Sequence, residues 1–169
     1  MSKSICPWLL LAVLAIPAFA AYDVPLPASA VADQVVVLKS ERKLILMKDG
    51  RVLKTYHVSL GANPVGAKTH QGDHKTPEGE YFLDRHNQKS QYYRSIHISY
   101  PNAADRERAH KLGLSPGGDV FVHGLPNDYK PVANEDPGDW TDGCIAVTDA
   151  EMDEVWRAVP DGTPIEITP

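Results

Sequence analysis

Val120-Phe121-Val122-His123-Gly124 and Trp140-Thr141-Asp142-Gly143-Cys144-Ile145-Ala146-Val147 are the two stretches around which this chain is organised. The first is a short apolar run that ends on a histidine; the second sets one cysteine between a glycine and an isoleucine. A thiol becomes a nucleophile for acyl transfer when a base stands within hydrogen-bond reach and backbone donors converge on the developing oxyanion. Cys144 is therefore the candidate nucleophile and His123 its candidate base. The N–H groups of Asp142, Gly143 and Cys144 are the expected oxyanion donors, with Gly143 letting the chain turn tightly. The bland alternative for a lone cysteine is a small buried hydrophobe. Spacing along the chain does not decide between them, because catalytic histidines are neighbours in space rather than in sequence.

Outward from these stretches, the N-terminus reads as a secretory signal over 1–20. Lys3 precedes an apolar run from Ile5 to Phe19 that closes on Ala18-Phe19-Ala20, an A-x-A cleavage pattern. The run is too short for a membrane span and is interrupted by Pro7 and Pro17. The mature chain is expected to be exported to the periplasm or cell envelope with no transmembrane span. Of 169 residues, 149 then remain, enough for one domain with one core. A formal net charge of −5 with mixed signs supplies no basic stripe, which excludes nucleic acid as a partner. Of the two cysteines, Cys6 leaves with the leader, so Cys144 has no intrachain disulfide partner. A leftover thiol in an oxidising compartment is a hazard unless it is used, which favours function.

Residues 21–33, with Pro25 and Pro27 and no periodicity, read as a tether, and 34–168 as the domain. Val35–Leu38, Leu44–Met47 and Val52–Leu60 are successive strands, the last two joined by Asp49-Gly50, a type I′ hairpin signal. Gly61 to Gly79, with four glycines and two prolines, is a long loop of the kind that lines a site. Further strands are expected at Tyr81–Leu83, Ile96–Tyr100, Asp119–His123 and Pro164–Thr168. One helix is expected from Asn102 to Leu112, and a second after the capping box Thr148-Asp149-Ala150-Glu151. The fold class is mostly β, a sandwich or partly open barrel with two short helices.

His-Gly after a strand, then a loop, then Ser/Thr-x-Gly-Cys-Ile resembles the catalytic signature of the L,D-transpeptidase (YkuD-type) domain family. Leu44 to Gly61 followed by Gly72-Asp73-His74-Lys75-Thr76-Pro77-Glu78-Gly79 resembles that family's hairpin and Thr-Pro-x-Gly loop, and the likeness covers about 34–168. The resemblance implies peptidoglycan stem peptides as substrate and Cys144 as nucleophile with His123 as base. The acceptor it implies is an amine of a second stem or of an envelope protein. It implies no cofactor and no metal. A hydrolase using the same thioester, and a non-catalytic peptidoglycan-binding module, remain alternatives. Where the family usually has His before the Gly-Cys pair and Arg two residues after the cysteine, this chain has Asp142 and Ala146. A carboxylate beside the sulfur is expected to raise the thiol pKa unless a cation compensates, and protonated His123 is the expected cation.

Gly124, Trp140, Thr141 and Arg85 are the candidate substrate contacts, with Lys68, Lys75 and Arg94 as further carboxylate holders. Gly113-Leu114-Ser115-Pro116-Gly117 matches G-x-S-x-G, but Pro116 lacks the N–H that an oxyanion needs from the residue after the serine. His70 and His74 flank Asp73, yet Gly72 and Pro77 oppose the helix that would turn both rings to one metal. Asn134-Glu135-Asp136 and Asp139 read as a solvated lid rather than a calcium loop.

Overall fold

The computed structural model describes residues 25–130 and 137–169. The expected secretory leader and Asn134 to Asp136 lie outside these residues. Eight strands form one mixed sheet in the order β3-β2-β1-β8-β4-β5-β6-β7. They are β1 (Gln34–Leu38), β2 (Lys43–Lys48), β3 (Arg51–His57), β4 (Gly79–Asn87), β5 (Ser95–Ile98), β6 (Phe121–His123), β7 (Ile145–Ala146) and β8 (Thr163–Thr168). Helices α1 (Ala103–Lys111) and α2 (Asp149–Ala158) complete the fold.

Period-2 burial explains the strands. Val35, Val37, Leu44, Leu46, Leu83, Ile96, Ile98, Ile165 and Ile167 all turn inward and are almost wholly buried, while their neighbours face outward. The β2–β3 turn has Asp49 at φ 50° and Gly50 at φ 71°, both positive as a type I′ turn requires. β1 pairs in parallel with β8 and β6 in parallel with β7, while the other neighbours are antiparallel.

The chain beyond β3 then returns to the far edge of the sheet. Ser59 and Ala146 exchange backbone hydrogen bonds of 2.9 and 2.8 Å, and Gly61 bridges Thr141. The sheet thus curls into a partly closed barrel, and β7 acquires a partner on each side. Two residues are too few to show any period, which is why β7 escaped the sequence reading.

Both helices begin with complete capping boxes, Asn102 with Asp105 and Thr148 with Glu151. α2 buries Met152, Val155 and Ala158 at three-residue spacing, each large side chain contributing roughly 1.5–3 kcal/mol. The expected slack of the tether is not found over 25–33. Leu26 is buried, its N–H donates to Glu154 Oε1 at 2.9 Å, and its carbonyl accepts from Arg157, because α2 offers this segment an apolar surface and two charged side chains.

Candidate active site

The parallel pairing of β6 with β7 brings the two opening stretches together. Val122 faces Ile145 and His123 faces Ala146 in register, and Cys144 stands one residue before the pairing begins. Side chains alternate along a strand, so Val122 and Ile145 enter the core while Phe121 and His123 turn to the other face. There they line a cleft of about 540 Å³ together with Cys144 and Trp140.

His123 Nδ1 lies 2.6 Å from the Gly124 carbonyl. A carbonyl only accepts, so Nδ1 carries the proton and, in the neutral ring, Nε2 keeps its lone pair. Gly124 was expected to touch substrate; instead it is buried and orients the imidazole. A Cβ at this position would stand 2.7 Å from Asp149 Oδ1 and 2.9 Å from Tyr93 Cβ, so only glycine lets the chain pass. Burial pushes the His123 pKa below its usual range, opposed by the hydrogen bond to Gly124.

Cys144 is half-buried and free, with its thiol 3.7 Å from the Asp119 carbonyl. Burial is the largest influence and raises its pKa. A backbone hydrogen bond from Phe121 and the Lys68 charge lower it, while the Asp142 and Asp119 carboxylates add to the rise. The two shifts run against an imidazolium–thiolate pair, opposite to the expectation that protonated His123 compensates Asp142, because desolvation disfavours both charges. What faces Asp142 is His74, whose Nδ1 is 2.8 Å from Asp142 Oδ1; both side chains are exposed, at 54% and 92%.

The cysteine turn is held from within. Thr141 Oγ1 donates to the Cys144 carbonyl at 2.7 Å and accepts the Gly143 N–H at 3.1 Å. Gly143 is therefore removed from the expected oxyanion donors, because its N–H points into the turn. Gly143 has φ 126°, and a Cβ on it would stand 2.6 Å from the Lys75 carbonyl. A Cβ on Gly61 would overlap the His74 carbonyl. The loop between β3 and β4 is thus laid backbone to backbone against the cysteine turn.

A second cleft, of about 690 Å³, opens on the other side of the sulfur and is lined by Lys68, His74, Ser115, Asp119, Asp142 and Cys144 among others. Asp119, Asp142 and Cys144 border both clefts.

Trp140 lines the first cleft, its ring 5.7 Å from that of His123. Tyr92, which sequence reasoning passed over, lies 4.6 Å from the His123 ring and 6.1 Å from Trp140. The available signal was the pair Tyr92-Tyr93 in an otherwise polar stretch before a strand. Arg85 is corrected: it is exposed on β4 and borders neither cleft, its strand register turning it away. Arg94 is paired with Asp153, and Lys68 with Asp73. Asp139 is not part of a solvated lid, since Arg42 and the Leu60 N–H hold it in the wall. Asp73 accepts from Lys68 and from the N–H groups of Thr69, His70 and Lys75, so its carboxylate organises the loop.

Residues 32–167 match the model of the L,D-transpeptidase catalytic domain (YkuD). The chain is 33% identical over 129 residues to "Putative L,D-transpeptidase YafK" of Escherichia coli K12, a match covering 73% of this chain and 45% of that protein. The chain therefore spans less than half the length of this relative. Its fold is similar to the K307A mutant of the helical cell shape determining protein Pgp2 from Campylobacter jejuni, with a TM-score of 0.62 and 25% identity over 82% of this chain and 47% of that one. Bd1075 of Bdellovibrio bacteriovorus shares the fold at a TM-score of 0.55 and 24% identity, covering 82% of this chain and 48% of that one.

Proposed function

The chain belongs to the L,D-transpeptidase catalytic domain family, and from that premise we propose that it is an exported cysteine acyltransferase acting on peptidoglycan stem peptides. The observation that carries the reading is the placement of His123 on β6 and of Cys144 immediately before its parallel neighbour β7, both lining one cleft, with the histidine's Nδ1 already committed to Gly124.

In this reading the donor stem lies in the first cleft. Cys144 attacks the carbonyl of the third stem residue as His123 Nε2 takes the thiol proton, so charge separates only as the carbon–sulfur bond forms. The oxyanion is met by N–H groups of the turn other than that of Gly143. Collapse breaks the bond to the terminal D-alanine, whose nitrogen receives the proton from His123, and a thioester remains. An amine entering from the second cleft attacks the thioester carbonyl, gives its proton to His123, and displaces the Cys144 sulfur, which is reprotonated. The product is a 3→3 cross-link or a protein attached to peptidoglycan.

Hydrolysis of the same thioester is the second reading, and a specific observation favours it. Ala146, where the family usually has an arginine, is buried in the bridge to Ser59, so that position brings no cation to hold an acceptor. Water in place of the amine gives an L,D-carboxypeptidase.

Incubation of the protein with a purified disaccharide tetrapeptide, read by mass, separates the readings. A cross-linked dimer lacking one D-alanine is expected, and a tripeptide monomer would mean hydrolysis. No product and no thioester adduct would leave only a binding module, and Cys144→Ser should abolish either product.

A further inference from the structure

Lys68, in the loop between β3 and β4, has no part in the acyl-transfer steps. It is 4% exposed, a burial that lysine rarely shows without a partner. Its Nζ is 2.7 Å from Asp73 Oδ1 and donates to the His70 carbonyl at 3.1 Å. Asp73 does not need this lysine in order to shape the loop. Its Oδ2 already accepts the N–H groups of Thr69 and His70, and its Oδ1 accepts that of Lys75. Burial would raise the Asp73 pKa, but Lys68 and these three donors hold it well below the carboxylate range, so its carboxylate is ionised.

The ammonium's position gives it a second role. Nζ is 3.8 Å from the point where a Gly143 Cβ would stand, directly behind the cysteine turn, and the residue lines the second cleft beside Cys144. The other charged or titratable groups around the sulfur are Asp142 on the turn, Asp119 ahead of β6, His123 on β6, and His74 against Asp142. Around Lys68 itself stand Asp73, His70 and Arg108, the last reaching the Lys68 carbonyl at 3.4 Å. Both carboxylates oppose negative charge on Cys144, and Lys68 is the cation acting against them.

We propose that Lys68 is a positioning residue for the nucleophile, its ammonium fixed by Asp73 and the His70 carbonyl behind the cysteine turn to support negative charge developing on Cys144. It acts through the turn and not on the substrate. The inference rests on Cys144 being the nucleophile.

The test is the pH profile of iodoacetamide labelling of Cys144, measured in a Cys6→Ser background so that one thiol reports. Lys68→Met should raise the midpoint by about one pH unit, slowing labelling at pH 7 about tenfold. Asp73→Asn, which frees the cation from its counter-charge, should lower the midpoint, and Lys68→Arg should leave it near the parent value. A pair that only staples the loop would move Lys68→Met and Asp73→Asn in the same direction or not at all, and either result overturns the proposal. If Lys68→Met fails to fold by circular dichroism, Asp73→Asn decides alone, and a midpoint unmoved or raised rejects the idea. The outcome is separable from the function itself, since Cys144→Ser retaining activity would sink the acyltransferase reading while leaving the labelling profiles intact.

Discussion

At the scale of single residues, the chemistry turns on desolvation acting on two groups at once. Burial pushes the Cys144 thiol up and the His123 imidazole down, which disfavours charge on either, and in the proposed mechanism the proton crosses only during attack. The sign for pH dependence follows from the base. The proposed mechanism needs His123 unprotonated, so activity should be lost as pH falls through the pKa of His123, which lies below the usual imidazole value of about 6.5. The acid limb of kcat/KM for release of D-alanine is expected below pH 6.5. A limb at or above that value would mean that desolvation does not govern this imidazole. Asp142, whose handicap to the thiolate the sequence reading set against a protonated His123, meets His74 from a loop 68 positions away in sequence. No local pattern announces such a contact.

At the scale of elements, the site is a junction of two loops and one short strand pair. Three glycines make the junction possible, each for want of space: Gly124 beneath Asp149, Gly143 against Lys75, and Gly61 against His74. Gly61 is the cleanest probe, because it makes no proposed contact with substrate. Gly61→Ala forces a methyl onto the His74 carbonyl and to 3.1 Å from Gly143 Cα. It should destabilise the fold by roughly 1–3 kcal/mol, the usual cost of overpacking, and slow Cys144 labelling as the turn is displaced. Urea denaturation showing no loss, with labelling unchanged, would remove the claim that the loop braces the turn. The hairpin and both helices were legible because Asp49-Gly50, the capping box at Thr148 and the stop at Gly113 are local chemistry. β7 was not, because its pairing comes wholly from β6 and Ser59.

At the scale of the molecule, the sheet's closure and the loop's attachment are one mechanical system. Lys39, at the end of β1, is 2% exposed and reaches across to the Gly66 and Thr76 carbonyls and to Glu78 Oε1, at 2.8, 3.0 and 2.8 Å. It ties both ends of the site loop to the middle of the sheet. Lys39→Met should cost roughly 2–4 kcal/mol, since two carbonyls lose their donor and a mostly covered carboxylate loses its partner. Activity should fall more steeply than stability as the loop slackens over the cysteine turn. Calorimetry and D-alanine release measured on the same variant check this, and a variant as stable and active as the parent would refute it.

The amino-acid order alone determined the mostly β class, the hairpin and the two helices, and it singled out Cys144 and His123 as the proposed nucleophile and base, because each rests on local periodicity, capping or residue chemistry. Tertiary structure decided how the site is arranged: that the Gly124 carbonyl meets the His123 ring, that Gly143 donates inward, that Arg85 borders neither cleft, and that Tyr92, His74 and Lys68 line the two clefts that Cys144 borders. The Gly124 and Gly143 contacts are short in sequence but depend on backbone directions that no residue pattern specifies, and those of Tyr92, His74 and Lys68 join distant segments that meet only once β6 pairs with β7 and the sheet curls.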